Sequence, residues 1–175
     1  MMRVMASTAR YFIEQLRERL VQAAAVAKRA EADARDAARS VATESEKKED
    51  GRAALEFGSL ATGHQNRARD VEAQVKTLDG MLARGLPELG ADSPVILGAI
   101  VDVTTEDKNG KLERTFIMLP VGAGTELTGP GGDGFLTVVT PASPVGKALM
   151  GKRQGDVADV VIRGEPFEWQ VVGVS

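Results

Sequence analysis

The residues best suited to chemistry crowd into one short stretch, TESEKKEDGR (43–52). It holds four carboxylates (Glu44, Glu46, Glu49 and Asp50), three bases and no large apolar side chain. Carboxylates are hard oxygen ligands and suit Mg2+, which keeps several waters and often needs only one or two protein carboxylates. A metal held in this way can activate a water. The stretch offers no pocket of its own, so such a site needs a partner to supply the substrate and the remaining ligands. From the residues alone the stretch also reads as a solvated turn. Asp50-Gly51 is turn chemistry, and acids are favoured at the start of a following helix.

The remaining inventory is thin. The chain has 175 residues and no cysteine, which removes disulfides and thiol chemistry and fits a reducing compartment. His64 is the single histidine, so a Ser-His-Asp triad could use nothing else. It falls on an apolar seam and reads as a packing residue. GPGGDGF (129–135) looks like a phosphate loop, but it lacks the Gly-Lys-Ser/Thr ending and a strand pattern follows it. Without a helix N-terminus the anion site is incomplete.

The elements that would carry the charged stretch can be read from periodicity. Residues 1–90 are rich in Ala, Arg and Glu, and residues 91–175 in Val, Gly and Pro. This shift marks two domains, joined at GLPELGADSP. In the first half Ile13, Leu16, Leu20, Ala23, Ala27, Ala30, Ala34, Ala37 and Val41 alternate steps of three and four. Such alternation is a coiled-coil seam. A second seam runs Ala54, Phe57, Ala61, His64, Ala68, Val71, Val75, Leu78 and Leu82. Folding the chain back near residue 47 pairs the two seams and puts the carboxylates at the tip. Each helix of about 30 residues would make an arm of roughly 45 Å. A parallel dimeric coiled coil does not explain why both seams end symmetrically around one charged turn, so a monomer is expected.

The second half reads as an antiparallel sheet with one short helix, an α+β domain. Strands are expected at 95–103, 112–120, 134–140, 157–163 and 167–174, with Asn109-Gly110 and Gly164-Glu165 as hairpin turns. Ser143 suits a helix N-cap, Pro144 the first helical position and Gly151 the exit.

Charge divides unevenly. Residues 1–42 carry eight bases against five acids, and residues 91–175 seven against eleven. The basic first helix could follow a phosphate backbone or an acidic wall, although a solvated coiled-coil exterior is the plainer reading. Neither a signal peptide nor a membrane span is visible, so a cytoplasmic protein without membrane contact is expected.

The stretch SPVGKALMGKRQGDVADV resembles a signature of the bacterial Gre factors, GreA and GreB. Ser143, Pro144, Ala148, Leu149, Gly151, Lys152, Gly155 and Asp156 carry it. ILGAIVDV and RDVEAQV (69–75) are also similar to that family. The resemblance implies an FKBP-like second domain that docks on RNA polymerase, with Ser143, Pro144, Lys147 and Lys152 meeting the partner. It also implies that the arm enters the secondary channel. There the tip carboxylates would share a Mg2+ with the polymerase, whose own site cleaves backtracked nascent RNA. The factor would then be no enzyme itself and would have no cofactor of its own. The family's tip motif, roughly G-D-L-x-E-N-A-E-Y, aligns best with Ser45–Ala53, so that Glu46, Glu49 and Asp50 are the candidate carboxylates. An ungapped alignment back from RDVEAQV puts Lys47 and Asp50 at the acidic positions instead. The alternative is a channel-binding regulator or inhibitor without cleavage. A prolyl isomerase on the FKBP-like fold ranks last, because it needs an aromatic-walled pocket and only 4% of the chain is aromatic.

Overall fold

The computed structural model describes residues 2–175 apart from 45–47, 108–109, 133 and 163. At 2–7, 42–44, 48–50, 107 and 162 it describes the backbone alone. The described residues cluster into two compact units, residues 2–16 with 77–175, and Arg17–Lys76.

Two long helices open the chain, α1 (Met2–Glu44) and α2 (Lys48–Arg84). α1 contains no Gly or Pro and is rich in alanine, the best helix former. Its end at Glu44 and the start of α2 at Lys48 bracket the expected fold-back near residue 47. The burial pattern follows both seams. Ala27, Ala34, Ala61 and Ala68 are buried, and Leu20, Ala23, Ala30, Ala37, Phe57, Val71 and Val75 are half-buried. An ion pair between Lys28 and Glu72 ties the two helices of the Arg17–Lys76 unit together.

The other unit holds a sheet. Its strands are β1 (Ile100–Asp107), β2 (Gly110–Met118), β3 (Glu126–Thr128), β4 (Phe135–Val139), β5 (Val157–Ile162) and β6 (Glu165–Val174), with α3 (Pro144–Leu149) between β4 and β5. The order across the sheet is β3-β4-β2-β1-β6-β5. The sheet is mixed, not wholly antiparallel as the sequence pattern suggests, because β2 and β4 run parallel. The cause is β3, which pairs antiparallel with β4 and turns the chain once more. Three residues are too few for any alternation to announce such a strand. β1 also starts five residues later than the pattern suggests. Gly98 has φ 96°, a backbone that strands do not use. Both expected hairpins form, β1–β2 and β5–β6. Asn109, the first residue of the expected β1–β2 turn, lies outside the described residues.

Alternation along the strands gives the sheet two faces. One carries Val101, Val103, Phe116, Met118, Val139, Trp169 and Val171, and packs with Leu149 of α3 and with Val95 and Ala99 into the main core. On the other, Ile117, Leu127, Leu136 and Val138 are buried, and the first turns of α1 pack against it. Leu16 presses so close to Gly122 that a Cβ there would lie 2.7 Å from its Cδ2. The Gln15 amide accepts from the Thr128 N–H at 2.9 Å and donates to the Thr128 carbonyl at 3.1 Å, as a neighbouring strand would.

Candidate functional site

Of the tip carboxylates, Glu46 lies outside the described residues. Glu49 and Asp50 occupy the first turn of α2, where a helix dipole favours negative charge. Adjacent helical positions stand about 100° apart around the axis and do not share a face. Among the described residues, no cluster of three or more His, Asp or Glu could hold a metal alone. His64 is half-buried on the α2 seam.

The α3 segment shows what most of the SPVGKALMGKRQGD residues do. Ser143 caps the helix. Its Oγ accepts from the Gly146 N–H at 3.1 Å and the Thr140 N–H at 3.2 Å, and donates to the Thr140 carbonyl at 2.8 Å. A hydroxyl has one donor and two acceptor sites, so Ser143 is fully committed within the chain. Gly151, at φ 79°, turns the chain out of the helix. Its N–H donates to the Val95 carbonyl and the Lys152 carbonyl accepts from the Val95 N–H, both at 2.8 Å. The Asp156 carboxylate accepts from the Arg153 N–H at 2.8 Å, and the Arg153 guanidinium donates to the Asp92 carbonyl. Gly155 and Asp156 bond to Val171 of β6 through their backbones. The segment therefore clamps the chain before β1 and the strand β6 around α3. Of the residues expected to meet a partner, Pro144 and Lys147 are exposed and Lys152 is half-buried. Pro144 and Lys147 are three apart on α3 and share a face.

Sequence reasoning passed over Gly146. A Cβ at this position would lie 1.9 Å from the Thr140 carbonyl oxygen, so nothing larger than hydrogen fits. The signal was present, since glycine is a poor choice inside a short helix unless close packing demands it.

Composition alone does not say where the aromatic residues meet. Three of the chain's seven aromatic residues, Phe116, Phe167 and Trp169, gather with Leu112 and Val145 around a groove of about 570 Å³ on the α3 side of the sheet. Phe116 and Trp169 stack with centroids 5.2 Å apart. The Trp169 indole N–H is buried and has no acceptor among the described residues. Phe116 and Trp169 are nevertheless buried, at 5% and 3% exposed, and Thr105, Arg114, Glu126 and Glu165 also line the groove.

Residues 91–175 match the family described as "Transcription elongation factor, GreA/GreB, C-term". The chain is Gre-like: its second half is similar to the GreA/GreB C-terminal domain. A curated relative of this Gre-like chain is the transcription elongation factor GreA of Lachnoclostridium phytofermentans. It is 28% identical over 115 residues, which cover 63% of this chain and 65% of the relative. Among solved structures, the GreA factor homolog Gfh1 of Thermus thermophilus is 21% identical with a TM-score of 0.36, covering 91% of this chain and 94% of that one. A GreA/GreB factor from Nitrosomonas europaea is 24% identical with a TM-score of 0.35, covering 58% and 78%. No described helix is long and apolar enough to cross a membrane.

Proposed function

We propose that this chain is a transcription elongation factor that binds RNA polymerase and stimulates the polymerase to cleave backtracked nascent RNA. The observation that carries the reading is the GreA/GreB match over residues 91–175. The C-terminal domain docks, with the exposed pair Pro144 and Lys147 and the half-buried Lys152 toward the polymerase. Ser143 acts there by holding the helix that presents them. The hairpin brings its tip into the secondary channel, and Glu46, Glu49 or Asp50 offers a carboxylate beside the polymerase's own catalytic centre. A Mg2+ shared with the polymerase would supply the charge that activates a water for hydrolysis. In this reading the chain contributes ligand and position, not a complete active site.

A second reading is a channel-binding regulator without cleavage. Lys47 and Lys48 favour it, since they stand among the tip acids and can compete with a cation for them. One experiment separates the two. Purified protein is added to backtracked elongation complexes of a bacterial RNA polymerase, and RNA length and polymerase binding are both measured. The first reading expects shortened RNA, and loss of shortening with binding retained in Glu49→Ala/Asp50→Ala. Tight binding without shortening by the wild type selects the regulator. No binding at all removes both.

A further inference from the structure

The Arg17–Lys76 unit holds a local weakness that its packing does not require. Gly58 and Gly63 lie inside α2, and a Cβ at either would meet nothing within 4 Å. No close approach explains either glycine. Each lowers the helix equilibrium about fivefold relative to alanine. Between them the Thr62 hydroxyl donates to the Gly58 carbonyl at 3.0 Å. Such bonding back to the preceding turn loosens and bends helices, and Gly-Ser neighbours such as Gly58-Ser59 are common kink sites.

Tertiary packing offsets this only in part, through Ala61, which is buried on the seam between the two glycines. From Ala54 to His64 the α2 seam offers one large apolar residue, the half-buried Phe57. Leu55 and Leu60 are 77% and 51% exposed and add little burial. The following stretch is built differently. It has no glycine from Gln65 to Lys76, carries Val71 and Val75 on the seam, and holds the ion pair to Lys28. Stability within one fold is uneven where buried contacts are few.

We propose that the turn Gly58–Gly63 is a hinge built into α2, at which the distal hairpin opens locally while residues 65–76 stay helical. The hinge lets the charged end adjust without disturbing the rest of the arm. This inference is independent of the polymerase reading, because it concerns the free chain.

Amide hydrogen exchange on the intact protein tests it. Amides of residues 52–63 should exchange faster than those of 65–76. Gly58→Ala/Gly63→Ala should slow the distal amides by up to about 30-fold and change 65–76 little. Gly80→Ala, also helical but outside the hinge, should leave the distal amides unchanged. One common exchange rate along 52–76 would overturn the proposal. So would a double variant that leaves the distal rates unaltered, or that slows both stretches equally.

Discussion

The sharpest test of the clamp around α3 is Gly146→Ala. The added methyl would sit 1.9 Å from the Thr140 carbonyl oxygen, about 1.3 Å inside an ordinary carbon–oxygen contact. The obstacle is backbone, and the same carbonyl accepts from the Ser143 hydroxyl and N–H, so α3 must move. Overpacking of this kind costs roughly 1–3 kcal/mol. Displacing the helix also pulls the Gly146 N–H from its Ser143 cap, worth about 1 kcal/mol. Alanine's better helix propensity returns up to about 1 kcal/mol. The net expectation is a loss of about 1–3 kcal/mol, or on the order of 5–20 °C in Tm for a domain of about 100 residues. Trp169, the single tryptophan, is buried in this core, so its fluorescence in a urea titration reports the loss directly. Gly58→Ala makes the same chemical change where nothing lies within 4 Å, and it should be neutral or stabilising by far-UV circular dichroism. A Gly146→Ala midpoint within about 0.5 kcal/mol of wild type would refute the packing argument.

Ala34→Asp puts a carboxylate on the seam where Ala34 is 6% exposed. It should destabilise the arm by about 2 kcal/mol or more, seen as an early loss of helical dichroism on heating. Gln15→Ala removes both hydrogen bonds to Thr128 and should cost about 1–2 kcal/mol in urea. Trp169→Phe removes an indole N–H that has no acceptor, so stability should hold within about 1 kcal/mol, whereas Trp169→Ala should lose roughly 3–5 kcal/mol. Both are read by circular dichroism. Hydrogen bonding to Lys28 lowers the Glu72 pKa, and the same bond raises that of Lys28. Any contribution of this pair is therefore present at neutral pH. It is lost as pH falls through the depressed Glu72 value or rises through the elevated Lys28 value. Both groups are solvent-exposed, so the effect should be slight and vanish in 1 M salt; a large pH-dependent shift in arm melting that survives salt would contradict this.

Much of the architecture was legible because it rests on local rules. Period alone marked both long helices and their reversal, since a seam must be buried whatever partner it finds. Ser143, Pro144 and Gly151 were legible as cap, first turn and exit, because these roles depend on the backbone of a few neighbouring residues.

Other features depend on residues far apart in the sequence, and only the tertiary structure decided them. β3 exists because β4 lies beside it. Gly146 is required because the Thr140 carbonyl stands over it. The first turns of α1 join the sheet through Gln15 and Thr128, 113 positions apart. The groove shows the contrast most plainly. Composition counts seven aromatic residues, and register brings Phe116, Phe167 and Trp169 to one face. Composition counts side chains, while strand pairing decides which of them meet. Sequence by itself therefore determined the two long helices of the hairpin and the caps of α3. Tertiary structure decided the mixed sheet, the clamp around α3 and the aromatic groove, because each is made by contacts that no local pattern encodes.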